Sequence, residues 1–156
     1  MNIELTAPVD CLCDFTYDFY WQHKGSRLSP SGIIPYQKGT SYTYSDLVTS
    51  LKTGEDVHIK GDAGMNTGVL LHGGKVIVDS TLEFAGSYMK SGTLIIKGKS
   101  RGYVGANMRG GVIFFKGQTM LKPVPAGEND TRELVKLLGI SQIEAMMFKK
   151  YRAREV

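Results

Sequence analysis

Leu94-Ile-Ile-Lys-Gly98 decides the fold, because the same pattern of apolar residues, lysine and glycine returns at Ile113-Phe-Phe-Lys-Gly117. Related segments begin at Val57 and Val76, so four segments follow one another at steps of 18 or 19 residues. A fixed period of this size is the signature of a repeat architecture, in which each unit buries its apolar side against its neighbours. The region 57–117 is therefore predicted to be a stack of similar units.

Glycines recur in columns with the same spacing. Thirteen of the nineteen glycines lie between residues 57 and 117, whereas all five prolines lie outside this region. Short apolar runs rich in β-forming residues are typical of strands, and glycine adopts the positive φ that a sharp turn requires. Proline would remove a hydrogen-bond donor from a strand ladder. The glycines expected at the turns are Gly68, Gly74, Gly86, Gly92, Gly105 and Gly111.

These columns predict a mainly β fold, a short right-handed parallel β-helix of about three to four coils. Equivalent side chains of successive coils should then lie side by side in the interior. We expect one inward ladder of Val57, Val76, Leu94 and Ile113, a second of Ile59, Val78, Ile96 and Phe115, and a further wall of Leu71, Met89 and Met108.

Helix signals lie on both sides of the repeat. Thr43, followed by Asp46 three residues later, has capping-box spacing and predicts a short helix near 44–52. The same spacing at the other end, with Asp130 and Ser141 as the capping residues, predicts two helices, over 131–138 and 142–152. The chain is read as one domain, with an N-terminal cap region at 1–56, coils at 57–117, and a linker with C-terminal helices at 118–156.

Both open ends of such a stack need cover, because they expose strand edges and core. The predicted C-terminal helices are expected to close one end or to pack alongside it. Their apolar side chains are Leu134, Leu137, Leu138, Ile143, Met146 and Met147. The aromatic segment 15–21 is expected to close the other end or, as an alternative to an exposed coil face, to form a homodimer interface.

Composition favours a soluble, reduced, cytoplasmic protein without a membrane span. Cys11 and Cys13 are too close in sequence for an unstrained disulfide, and the N-terminus has no leader-like apolar run. The net charge of +4 is uneven: residues 57–117 carry eight lysines and arginines against three acidic residues. A basic repeat region fits an ordinary solvated face, an acidic partner or nucleic acid, and nucleic acid is the least favoured of the three.

The sequence offers few residues with catalytic spacing. The three histidines form no metal-binding set, so no metal, cofactor or catalytic residue is predicted. His72, Lys90 and Arg109 occupy equivalent positions in successive coils, and are expected to form a surface column that could contact an anion or an acidic partner. The alternative enzyme hypothesis, a small serine hydrolase, would use a serine nucleophile with no evident base. Its candidates are Ser87, Ser91 and Ser100.

Two motifs recur within the repeat, Gly86-Ser-Tyr-Met-Lys-Ser-Gly92 and Gly105-Ala-Asn-Met-Arg-Gly-Gly111, each followed by its strand segment. In these motifs the repeat resembles the GXGXG family, the β-helix domain found at the C-terminal end of the glutamate synthase large subunit and in the β-helical component of formylmethanofuran dehydrogenase. The resemblance implies a structural domain beside catalytic ones, not a reaction. We therefore expect a non-catalytic scaffold related to an oxidoreductase complex, acting as a homo-oligomer, a dimer being favoured, or with partner enzyme subunits.

The inward ladders predict the effect of one core substitution. Ile96→Ala should lower the free energy of unfolding by about 2–5 kcal/mol, because truncation of a buried side chain loses apolar burial and leaves a cavity. Chemical denaturation followed by circular dichroism measures the change. An unaltered unfolding midpoint would mean that Ile96 does not face the interior.

Overall fold

The computed structural model describes residues 1–15 and 32–153. In this part of the chain the elements are β1 (Asn2–Leu5), β2 (Gln37–Lys38), α1 (Tyr44–Lys52), β3 (Val57–Asp62), β4 (His72–Glu83), β5 (Ser91–Ile96), β6 (Ser100–Gly102), β7 (Val112–Phe115), β8 (Pro123–Val124), α2 (Glu128–Leu138), α3 (Gln142–Ala145) and β9 (Lys149–Arg152). The strand order of the main sheet is β2-β1-β3-β4-β5-β7-β9-β8, and β6 pairs with β4 outside it. The chain is mainly β and forms a solenoid of about three turns.

The predicted inward ladders are confirmed by the strand register. Val57 pairs with Val76, Val76 with Leu94, and Leu94 with Ile113, all in parallel. The second ladder pairs in the same way, and Ile96 within it is fully buried. Leu71, Met89 and Met108 join both ladders in one continuous core. Side chains of similar size therefore stack along the solenoid interior, as the repeat requires.

The corners of the coils share an unusual backbone. In the segments 66–70, 84–88 and 103–107, the first, third and fifth residues all have positive φ, between 55° and 71°. Glycine occupies only the middle position, as Gly68, Gly86 and Gly105. Each of these glycines donates its N–H to the preceding coil, for example Gly86 to the Thr67 carbonyl at 2.9 Å. All six glycines expected at turns have positive φ.

The N-terminal residues form part of the solenoid as well as covering it. β1 pairs in parallel with β3, with Ile3 beside Ile59. Cys11 and Cys13 have φ values of 72° and 64°, and the Gly68 N–H donates to the Leu12 carbonyl at 2.8 Å. Residues 1–15 thus supply a strand and a corner in register with the first repeat, although the sequence there lacks its glycines. Of the aromatic segment 15–21, all but Phe15 lies outside the described residues.

Helix α1 begins and ends as predicted. The Thr43 hydroxyl accepts from the Asp46 N–H at 3.2 Å, and the Asp46 carboxylate accepts from the Thr43 N–H at 2.7 Å. Its apolar face, with Leu47 and Leu51 buried, joins the solenoid core. A side chain at Gly74 would collide with Leu51, whose Cδ2 lies 2.7 Å from the position of such a Cβ. Gly74 therefore allows α1 to approach the sheet closely.

Helix α2 packs alongside the sheet and begins earlier than predicted. Its N-cap is Gly127 rather than Asp130, and the Asp130 carboxylate accepts from the Gly127 N–H at 2.9 Å. Asp130 also accepts from Lys150 Nζ at 2.9 Å, which ties α2 to β9. The helix covers the outer face of the sheet through a second apolar cluster. That cluster contains Ile77, Ile95, Phe114, Leu134, Ala145 and Phe148.

The predicted helix over 142–152 is wrong beyond Ala145. Residues 149–152 form strand β9, which pairs antiparallel with β7 and places Tyr151 beside Ile113. Tyr151 is 1% exposed in the main core, and its hydroxyl donates to the Gly117 carbonyl at 2.7 Å. The free edge of β7 and the burial of one aromatic ring therefore outweigh the helical pattern. As a result Ile143, Met146 and Met147 are not buried but lie exposed.

Two glycine substitutions separate the backbone and packing demands of the turns. Gly68→Ala places a Cβ 3.8 Å from Leu94, an ordinary contact, so its cost is that of positive φ, about 1–2 kcal/mol. Gly111→Ala has a similar φ, but its Cβ would lie 2.8 Å from the Gly92 carbonyl oxygen and 3.1 Å from the Ser91 carbonyl carbon, backbone atoms that cannot easily move, which adds about 1–3 kcal/mol of overpacking. Urea unfolding of both variants measures the difference. Equal losses would contradict the packing part of this account.

The link between Asp130 and Lys150 predicts a pH-dependent contribution to stability. Burial opposes ionisation of Asp130, but the hydrogen bonds from Lys150 and Gly127 outweigh it and hold the pKa of Asp130 below its ordinary 3.8. A lowered pKa stabilises the fold above the unfolded-state pKa, and the stabilisation is lost as the pH falls through the folded-state value. Asp130→Asn should lower the unfolding free energy at neutral pH by about 1 kcal/mol, and wild type and variant should converge in acid.

The matched control for this experiment is Glu4→Gln. Glu4 pairs with Lys60 at 4.0 Å, but their side chains are 43% and 75% exposed. Its removal should change stability by less than about 0.5 kcal/mol, because solvent screens such a pair. A pH-independent deficit in Asp130→Asn would mean that the loss is one of packing and not of charge.

Candidate interaction surface

Aromatic side chains project from two successive corners of the solenoid. The rings of Phe84 and Tyr103 stack with centroids 4.9 Å apart and an angle of 13° between their planes. Tyr103 is 56% exposed, and Tyr88, at the fifth position of its corner, is 47% exposed. The repeat spacing of 18 and 19 residues aligns these corner positions from coil to coil. Because Phe84, Tyr88 and Tyr103 are not glycines, the sequence did not indicate that their φ is positive.

The predicted column of His72, Lys90 and Arg109 follows the same corners, each residue two positions after the fifth residue of its corner, so Lys90 follows Tyr88 by two residues. The Lys90 N–H donates to the Leu71 carbonyl, and the Arg109 N–H to the Met89 carbonyl, both at 2.8 Å, so the structure places the three residues in adjacent coils. All three are exposed. Met89 is fully buried between Tyr88 and Lys90, so these two neighbours both face outward. We call the set Phe84, Tyr88, Tyr103, His72, Lys90 and Arg109 the corner patch.

The candidate serines occupy three different environments. Ser100 Oγ lies 2.8 Å from Thr81 Oγ1 and donates to the Leu82 carbonyl at 3.1 Å. Ser87 is buried, and its hydroxyl has no hydrogen-bond partner. Ser91 is half-buried, and its N–H donates to the Leu71 carbonyl at 3.2 Å. Within residues 1–15 and 32–153, no hydrogen bond joins any of the three side chains to a histidine. The structure therefore does not bring a serine and its base together there.

The two cysteines are buried at the N-terminal corner. Burial, reinforced by Asp10 and Asp14, raises the pKa of the Cys11 thiol well above its ordinary value. Burial and Asp14 do the same for the pKa of Cys13. Since the thiolate is the reactive form, such thiols are poor nucleophiles. Burial also raises the pKa of the neighbouring Tyr44 to about 12.

A second surface lies at the C-terminal end, where three large apolar side chains are exposed within five residues. Ile143 is 79% exposed, Met146 67% and Met147 60%. Beside them lies a groove of about 620 Å³ between the start of α2 and α3. Its lining residues are Ala126, Gly127, Glu128, Thr131, Arg132, Val135, Gln142 and Met146. We call Ile143, Met146, Met147 and this groove the C-terminal face.

Metal ligands and membrane-spanning helices are two further features that could define a function. Among the described residues, no three histidine, cysteine or acidic side chains gather closely enough to bind a metal ion. None of the helices within residues 1–15 and 32–153 combines the length and apolarity needed to cross a bilayer.

The stacked parallel coils and their repeated corners define the class of protein as a parallel β-solenoid. A profile described as the GXGXG motif matches residues 36–148, and the chain belongs to this family. It is 37% identical over 123 residues to an uncharacterized protein of Methanothermobacter thermautotrophicus. The match covers 75% of this chain and 36% of that protein, so the chain spans about a third of the relative's length. No solved structure gives a significant match.

Proposed function

We propose that the chain is a non-catalytic scaffold of an oxidoreductase assembly and that it self-associates as a homodimer through its C-terminal face. The observation that carries this proposal is the exposure of Ile143, Met146 and Met147 next to a groove of mixed polar and apolar lining. Isolated exposed apolar residues are ordinary, but a cluster of this kind beside a groove is typical of a protein–protein contact.

The C-terminal face is suited to contact with a second copy of itself. Ile143 and Met147 directly follow Gln142 and Met146, which line the groove, so protruding and receiving elements lie side by side. A two-fold axis then lets each copy insert its apolar residues into the groove of the other, as an isologous interface requires. The rim carries both Glu128 and Arg132, so the two-fold arrangement sets opposite charges against each other.

Two further facts support the scaffold part of the proposal. The resemblance to the glutamate synthase and formylmethanofuran dehydrogenase β-helix domains implies a structural element whose neighbours perform the chemistry. The relative from Methanothermobacter thermautotrophicus extends well beyond the segment that matches this chain. Solenoids offer long, rigid lateral surfaces, and such surfaces commonly bind other proteins. Partner enzyme subunits or domains are the expected occupants of the surfaces that the dimer leaves open.

Light scattering coupled to size exclusion tests the dimer. Wild type should have a molar mass near twice 17.2 kDa, and Ile143→Asp should shift it to that of the monomer. Because Ile143 is exposed in the single chain, the variant should keep its thermal midpoint once dilution has also made wild type monomeric. Ile33→Asp is the matched control, since Ile33 is likewise an exposed isoleucine at 66% but lies elsewhere, and it should remain dimeric.

A monomeric wild type at high concentration would contradict the dimer. The scaffold hypothesis has a separate test, the hydrolysis of simple esters by the purified protein. Turnover that Ser87→Ala, Ser91→Ala or Ser100→Ala abolishes would favour the serine-hydrolase alternative and overturn the non-catalytic role.

A further inference from the structure

The corner patch contains large side chains at backbone positions that disfavour them. Phe84, Tyr88 and Tyr103 have φ values of 68°, 55° and 55°. For a bulky residue this region is a genuine outlier, because Cβ approaches the following carbonyl oxygen. The equivalent corner positions in other coils are Asn66 and Asn107, a residue type that tolerates positive φ far better, and Leu70, which is bulky but not aromatic. The corner therefore folds without aromatic residues at these positions.

The two tyrosines are only partly covered by the fold. Tyr88 and Tyr103 remain about half exposed, so much of each ring is available for contact with another molecule. Strained residues that persist on a surface are characteristic of binding sites, where the surrounding structure holds them in place. The strain and the exposure together indicate that these rings serve contact with another molecule.

The charge of the patch indicates the character of that molecule. Lys90 and Arg109 are exposed in adjacent coils, Lys90 two residues after Tyr88, and Arg101 on β6 is exposed two residues before Tyr103. Within the described residues 81–91 and 100–110, which form these two coils around the rings, the one acidic residue is Glu83, which pairs with Gly102 and is half-buried. A surface of one sign repels a second copy of itself but attracts and orients a partner of opposite sign. The patch therefore suits an acidic partner, unlike the mixed-charge rim of the C-terminal face.

The arrangement of the rings favours a protein segment over single-stranded nucleic acid. Phe84 and Tyr103 stack on each other, so the faces between them are already occupied. A nucleic-acid platform needs a free aromatic face for each successive base. Tyrosine hydroxyls and the neighbouring cations instead offer hydrogen bonds and ion pairs to carboxylates along an extended chain.

We propose that the corner patch is the docking surface for an acidic, extended segment of a partner protein. This inference rests on the proposed scaffold function and names the surface that engages the partner. The rings of Tyr88 and Tyr103 provide apolar contact, and Lys90 and Arg109 pair with carboxylates of the segment. The C-terminal face remains free for the second copy of the chain.

The chain of 156 residues and a fluorescently labelled peptide of alternating glutamate and tyrosine test this assignment by anisotropy titration. The peptide should bind in a salt-sensitive manner, and a peptide of alternating glutamine and tyrosine should bind at least tenfold more weakly. The double variant Lys90→Glu/Arg109→Glu should weaken binding of the acidic peptide by tenfold or more. Lys122→Glu, a change of an exposed lysine outside the patch, should leave it unchanged.

A second variant tests the strain and guards against loss of folding. Tyr88→Gly should weaken binding of the acidic peptide several-fold. The thermal midpoint of this variant should equal that of wild type or rise, because glycine accepts positive φ freely. A lower midpoint would show that the ring stabilises the fold, which removes the premise. Equal peptide affinity in wild type and in Lys90→Glu/Arg109→Glu would overturn the assignment. Tighter, patch-dependent binding of oligothymidylate would overturn it in favour of nucleic acid.

These outcomes are distinct from those that bear on the proposed function. Ester turnover would remove the scaffold role whatever the peptide titration gives, and monomeric wild type would remove the dimer. Peptide binding that depends on the patch, in a chain that also dimerises, supports both. Loss of patch dependence in a chain that still dimerises and hydrolyses no ester overturns the docking assignment alone.

Discussion

The parallel hydrogen-bond ladder is the constraint on which the rest of the structure depends. Each coil must return its strand to the position of the previous one, with Val76 beside Val57 and Leu94 beside Val76. Once this register is fixed, interior side chains stack by type, and every corner must turn in the same way. The alternation of positive φ along 84–88 and 103–107 follows from this demand, as do the glycines that admit neighbouring side chains. The stacking constrains the outward-facing side chains much less, so these side chains differ from one coil to the next.

The ends of the stack show how a parallel array becomes a finite protein. At one end β2 pairs antiparallel with β1, and at the other β9 pairs antiparallel with β7. The outermost strands, β2 and β8, have two residues each, and β8 begins with Pro123. Short strands and proline at an edge discourage pairing with further chains. The coil ends are therefore unsuited to end-to-end association, which directs contacts with other molecules to the lateral surfaces.

Much of the fold was predictable from sequence because the repeat reports on packing directly. The burial of Ile96, the positive φ of Gly105 and the helix cap at Thr43 were all predicted. Each depends on interactions within a few residues or with the neighbouring coil. Strand β9 was not predictable, since Lys149-Lys-Tyr-Arg152 carries a helical charge pattern and becomes a strand only because β7 offers it an edge. The coil-like N-terminus escaped prediction because its corner lacks the glycine signal: Cys13 stands where the repeats have glycine. For the corner patch, the sequence predicted the column of cations but not the aromatic neighbours, whose backbone strain is visible only in three dimensions.

The spacing of the coils has a consequence for the order in which the molecule assembles. Neighbouring central strands are joined by only 18 or 19 residues, so pairing them closes short loops. Residue 2 instead meets residue 58, and residue 113 meets residue 151, contacts that enclose far longer stretches of chain. Because the entropy of loop closure grows with length and slow folding accompanies distant contacts, we expect the middle of the solenoid to nucleate. The terminal strands would then dock on a template already formed, and the last regions to become ordered would be the first to open.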